Sequence, residues 1–164
     1  MNVYLFRHGI ALDIGQNGIT SDDQRPLSDE GMKKTGNIAQ ALKKIRCNPT
    51  RIVTSPLIRA RQTADIAARV LCPDTTPEPN GVMAPFVSAE ETGNWLTEQD
   101  PEDIMLVGHN PHMEQLASYL ISGSDDIEIR LKKASICRIA FDEEVQSGCG
   151  MLEWLMQPAQ LLGL

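Results

Sequence analysis

The sequence predicts an α/β fold: a mostly parallel central sheet flanked by helices on both faces, closed by an antiparallel C-terminal hairpin. Three observations predict it. Short, continuously apolar runs at residues 3–6, 52–53 and 104–107 lack polar alternation, as strands covered on both faces do. Longer segments with helical periodicity lie between and after them, the alternation that builds layered parallel sheets. Two final apolar runs, 135–141 and 151–156, enclose a turn at 146–150 and read as a hairpin at the sheet edge.

The elements follow in order. The first strand ends in Arg7, His8 and Gly9, and a polar loop over residues 13–26 follows. That loop is too long to be only a connector, and loops of this length often cover sites. Ser28 reads as a helix cap, with Asp29 and Glu30 in the first turn, where carboxylates suit the helix dipole. Ile38, Leu42 and Ile45 keep helical spacing until Asn48-Pro49 breaks it. Ser55-Pro56 is expected to open the helix after the second strand, with proline at its first position. Its stripe is Leu57, Ala60, Ala64, Ala67 and Leu71. Pro73, Pro77 and Pro79 impose an irregular stretch. Ser88 and Glu91 form a capping-box pattern ahead of Trp95 and Leu96. Asn110-Pro111 starts a helix with Met113, Leu116, Ala117 and Leu120 on one face. The length, 164 residues, suits a single domain spanning residues 1–164.

Composition excludes some functions. The net charge of −7 offers no broad basic field for nucleic acid. No apolar run approaches bilayer-spanning length, and the start lacks a signal-peptide pattern, so no membrane partner is expected and the cytoplasm is the default location. The four cysteines (Cys47, Cys72, Cys137, Cys149) are widely spaced and read as free thiols. With three histidines and no C-x-x-C pair, neither a zinc site nor any other metal or cofactor is expected. No apolar stripe indicates an oligomeric state.

The informative feature is a coincidence of strand ends. The first strand ends in Arg7-His8-Gly9, the second in Thr54-Ser55 with Arg59 just beyond, and the third in Gly108-His109-Asn110. In an open parallel sheet the carboxyl ends of strands line the ligand crevice, so these distant segments can converge. Helical side chains tilt toward the N-terminus, which brings Arg59 to that end. Two helix N-termini add free amides. Two guanidiniums, two imidazoles and no carboxylate within the motifs suit a dianionic phosphoryl group, because arginine presents paired donors to phosphate oxygens. Gly9 lets the backbone approach closely after His8.

These motifs resemble the histidine phosphatase superfamily, with its phosphoglycerate-mutase-like fold. Arg7-His8-Gly9 matches its N-terminal signature. Residues 55–64 match its S-x-L-x-R-A-x-Q-T-A segment, and Gly108-His109-Asn110-Pro111 its second-histidine motif. The short chain and its hairpin ending look most similar to the small SixA-type phosphohistidine phosphatases. The resemblance implies that His8 is a nucleophile that becomes transiently phosphorylated. It implies that Arg7 and Arg59 clamp phosphoryl oxygens and that His109 stabilises the transferring group, with Gly9 and Asn110 beside the substrate. Larger relatives carry a glutamate as general acid before the third strand. Here no acid lies between Glu78 and Glu90. An alkoxide leaving group needs such a donor more than an imidazole does, which tilts the expected substrate toward a phosphohistidine-bearing protein. Glu78 or an acid of the 13–26 loop remains open as a donor. The alternatives are a phosphatase of a small phosphate ester and a non-catalytic phosphate- or phosphoprotein-binding module. His112 is expected at the lip, exposed. Lys33, Lys34, Lys43, Lys44 and Arg46 read as a solvated helix face. Arg130, Lys132 and Lys133 read as a possible docking patch for an acidic protein partner.

Overall fold

β1 (Asn2–Arg7) runs through the middle of a six-stranded sheet in the computed structural model, which describes residues 1–100 and 102–164. It pairs in parallel with β4 (Ile104–Gly108) on one side and antiparallel with β5 (Ile136–Ala140) on the other. β4 pairs in parallel with β2 (Arg51–Thr54), and β2 with the two-residue β3 (Glu78–Pro79). β6 (Met151–Met156) closes the hairpin with β5, giving the order β3-β2-β4-β1-β5-β6.

The unalternating runs have a simple cause. Tyr4 and Phe6 of β1, with Ile52, Met105 and Val107, pack under α1 (Asp29–Lys44) and α2 (Ile58–Leu71). Val3 and Leu5, with Val53, Ile104 and Leu106, face α3 (Ala89–Thr97) and α4 (His112–Ser122) on the other side. Both faces are dry, so residues 3–6 of β1 and 104–107 of β4 are all apolar. A short α5 (Pro158–Leu161) seals Leu161 against the first of these layers. Among the described residues no helix is long and apolar enough to cross a membrane, and all four cysteines are free.

The helix caps fall where the sequence puts them at Ser28 and Ser88, whose hydroxyls accept from Gly31 N and Glu91 N. α2 departs from expectation. It begins at Ile58, capped by Leu57, two residues later than a Ser55 cap would allow. The Ser55 hydroxyl is instead committed to a hydrogen bond with His109, while also accepting from Leu57 N at 3.3 Å. Within the proline-rich stretch, β3 adds a strand too short for periodicity to reveal.

Candidate active site

Register brings the motifs together. Arg7 pairs with Gly108 across β1 and β4, and Thr54 pairs with Val107 across β2 and β4. His8 N then donates to Gly108 O at 3.0 Å and Ser55 N to Val107 O at 2.9 Å. The two imidazoles leave adjacent strands side by side, with ring centroids 4.9 Å apart. Together with Arg7, Arg59 and Asn110 they line a cavity of about 750 Å³ at the carboxyl ends of the parallel strands.

The tautomer of His8 is fixed twice over. Its Nδ1 lies 2.7 Å from Gly9 O, and a carbonyl only accepts, so Nδ1 carries the proton. Arg59 Nε donates to His8 Nε2 at 3.3 Å, which requires a lone pair there. Burial lowers the His8 pKa to about 3, with Arg59, Arg7 and Lys133 adding to the effect. His8 is therefore a neutral imidazole at physiological pH, its Nε2 lone pair beside a guanidinium. Gly9 itself does not line the cavity. Its N–H donates to Thr63 Oγ1, and a Cβ there would collide with Thr35 Oγ1 as α1 packs against it.

The remaining groups carry unfilled hydrogen-bond capacity. His109 shares a 2.8 Å hydrogen bond between Nε2 and Ser55 Oγ, but its buried Nδ1 has no partner. Arg7 Nη1 donates to Leu131 O at 2.6 Å while its Nε is buried and unpaired. Asn110 Nδ2 donates to the same carbonyl, leaving Oδ1 unpaired. Five buried side-chain atoms lack partners among the described residues, and three of them belong to these cavity residues. Unsatisfied buried polar atoms are costly, so their concentration at one cavity suggests a ligand that completes them.

Two acids of the 13–26 loop, Asp22 and Asp23, line the cavity, and Asp22 engages Arg59. Arg59 Nη1 donates to Asp22 O at 2.6 Å and Nη2 to Asp22 Oδ2 at 2.7 Å. Asp22 also bonds Arg25, which reaches Asp13. The sequence left an acid of this loop open without singling out Asp22, because nothing local distinguishes it from Asp13 or Asp23. Glu78, the other acid left open, is paired with Arg51 at 2.9 Å and does not line the cavity.

His112 corrects an expectation. It is not exposed at the lip but 1% exposed, its Nε2 bonded to Thr92 Oγ1 at 2.8 Å under α3. Thr92 in turn donates to Val82 O, so His112 ties α4 to the chain beside the cavity. Burial lowers its pKa to about 4, and that of His109 to about 3. All three folded-state values lie below the unfolded value near 6.5. The unfolded chain therefore takes up protons first, and stability falls as pH drops from about 6.5 toward 3. From pH 7 to pH 5 the loss is on the order of 2 kcal/mol per imidazole. Urea unfolding at the two pH values should show this slope, and His112→Gln should remove about a third of it. An unchanged slope in the variant would contradict the assignment.

Comparisons with known proteins identify the family. A family model described as the histidine phosphatase superfamily (branch 1) matches residues 3–80. An uncharacterized protein of Picosynechococcus is 37% identical over 141 residues, covering 83% of this chain and 82% of that protein. The chain belongs to the histidine phosphatase superfamily. As a histidine phosphatase it is a phosphate-releasing hydrolase, and the family model's match spans the first two of the three converging motifs. The phosphohistidine phosphatase SixA of Escherichia coli is 28% identical over 172 aligned residues, covering 98% of this chain and 96% of SixA. The solved structure of the protein histidine phosphatase SixA complexed with tungstate has a TM-score of 0.84 and 26% identity. That match covers 98% of this chain and 99% of the other.

Proposed function

We propose that this histidine phosphatase removes phosphate from phosphohistidine on a protein, through a covalent phospho-His8 intermediate. The Nε2 lone pair of His8 attacks phosphorus. The bond between phosphorus and the substrate nitrogen breaks, and its electron pair stays on that nitrogen. The Gly9 carbonyl holds the Nδ1 proton throughout, so His8 keeps one tautomer. Arg7 and Arg59 take the phosphoryl oxygens, Arg59 releasing Asp22 to do so. His109 presents its unpaired Nδ1 to the same group. Water then attacks phospho-His8, its proton passes to the departing phosphate, and Nε2 is restored. Phosphoryl transfer asks mainly for in-line positioning and charge stabilisation, which these groups are suited to supply.

The state of Asp22 carries the choice of substrate. Arg25, and then Arg59, hold its carboxyl below the usual carboxylate range, so it is ionised at neutral pH. An ionised carboxylate cannot donate a proton to a departing alkoxide. Departing imidazole needs no such donor when its other nitrogen already holds a proton. Transfer from one imidazole nitrogen to another also exchanges like for like. The kinship with SixA phosphohistidine phosphatases supports the same reading.

The test compares kcat/KM for a histidine-phosphorylated protein and a phosphoserine peptide. General-acid assistance is worth roughly 10²–10⁴ in rate, so the phosphohistidine substrate is expected to lead by about 100-fold or more. Faster turnover of the ester would overturn the proposal in favour of a small-ester phosphatase.

A further inference from the structure

Two features beside the cavity have no part in the chemistry above. Phe86 is 99% exposed, although aromatic residues are scarce in this chain. It stands at the rim on a turn closed by Val87 N donating to Ala84 O at 3.2 Å, with Pro85 before it and Met83 fully buried behind. The turn displays the ring rather than leaving it loose, and covering so large an apolar side chain is favourable.

Across the cavity from this turn, in the order of the sheet, lies the segment leading into β5. Lys133 lines the catalytic cavity and also a second, contiguous hollow of about 480 Å³, which Lys34 and Lys132 line as well. No carboxylate lines that hollow, and among the described residues none of the three lysines takes part in an ion pair. The segment is held in place from several directions. Ala134, in the left-handed region at φ 63°, donates its N–H to the carbonyls of Arg7 and His8. Gln157 Oε1 accepts from Lys132 N and Ser135 Oγ, and its Nε2 donates to Arg130 O. A non-glycine residue in that region is uncommon and persists only where its surroundings hold it. On a chain of net charge −7, this is a preorganised local patch of positive charge.

We propose that the two rims together form a docking surface for an acidic protein that carries the phosphohistidine. Phe86 anchors in an apolar spot on that protein, and Lys34, Lys132 and Lys133 meet carboxylates flanking its phosphorylated histidine. The proposal rests on the functional reading above. Phe86 lines the mouth of the cavity yet is 99% exposed, so a small ligand inside covers only its inward side, whereas a protein surface laid over the mouth reaches both rims. Exposed aromatic anchors and complementary charge are how such surfaces gain affinity and encounter rate.

The test uses three substrates: an acidic helical domain phosphorylated on one surface histidine, the same domain with its flanking glutamates changed to glutamine, and potassium phosphoramidate. Phe86→Ala and the pair Lys34→Glu with Lys132→Glu should each raise KM for the acidic phosphoprotein about tenfold, within the range of interface anchors. Turnover of phosphoramidate should stay within about twofold, the measure of an intact catalytic centre. The lysine effect should shrink on the glutamine-flanked domain and at high salt. Unchanged KM for a phosphoprotein that the native enzyme hydrolyses would overturn the docking surface and leave the functional reading standing. A native enzyme that cleaves phosphomonoesters but leaves the phosphoprotein intact would overturn both.

Discussion

Replacing His8 by alanine is expected to lower kcat by on the order of 10⁴ or more on any substrate the enzyme accepts, the scale on which a covalent nucleophile is lost. The expectation follows from how completely His8 is arranged. Gly9 O fixes its proton on Nδ1, Arg59 faces its Nε2, and burial keeps it neutral. On the proposed mechanism, removing the ring takes away the bond-forming atom and leaves Arg7, Arg59 and His109 to hold the phosphoryl group. Substrate and oxyanion binding should therefore survive in His8→Ala, and steady-state assays with tungstate as competitor would separate the two effects. Retained turnover within tenfold of the native rate would contradict the role given to His8.

Replacing Arg59 by alanine is expected to cost about 10³ in kcat/KM, the lower end of what an arginine contributes to phosphoryl transfer. Arg59 is only 5% exposed, and its guanidinium links the His8 imidazole to the 13–26 loop through Asp22. Arg59→Lys should recover little, because an ammonium cannot hold Nε2 of His8 and two phosphoryl oxygens from one planar fork. Kinetics on phosphoramidate measure both variants. Full rescue by lysine would show that charge alone matters at this position.

Much of this architecture was legible in the sequence. The unbroken apolar runs declared strands covered on both faces, and the Ser28 and Ser88 caps follow from bonds within three residues. The convergence of His8, Arg59 and His109 was also legible, because parallel strands bring their carboxyl ends to one edge. What escaped depended on distant partners. Ser55 has the sequence of a helix cap, but His109, fifty-four residues away, holds its hydroxyl. His112 sits where a lip residue would, yet Thr92 and α3 cover it. Asp22 became significant only through Arg59, thirty-seven residues on. Local periodicity carries no information about such pairs.

The central claim is that the phosphoryl group passes through His8 Nε2. Rapid quench with ³²P-phosphoramidate tests it most directly. The account predicts a burst of protein-bound label, stable in alkali and labile in acid as phosphohistidine is, mapped to His8 and absent from His8→Ala. Turnover of phosphoramidate by the native enzyme with no such label at any quench time, or label that persists in His8→Ala, would contradict it.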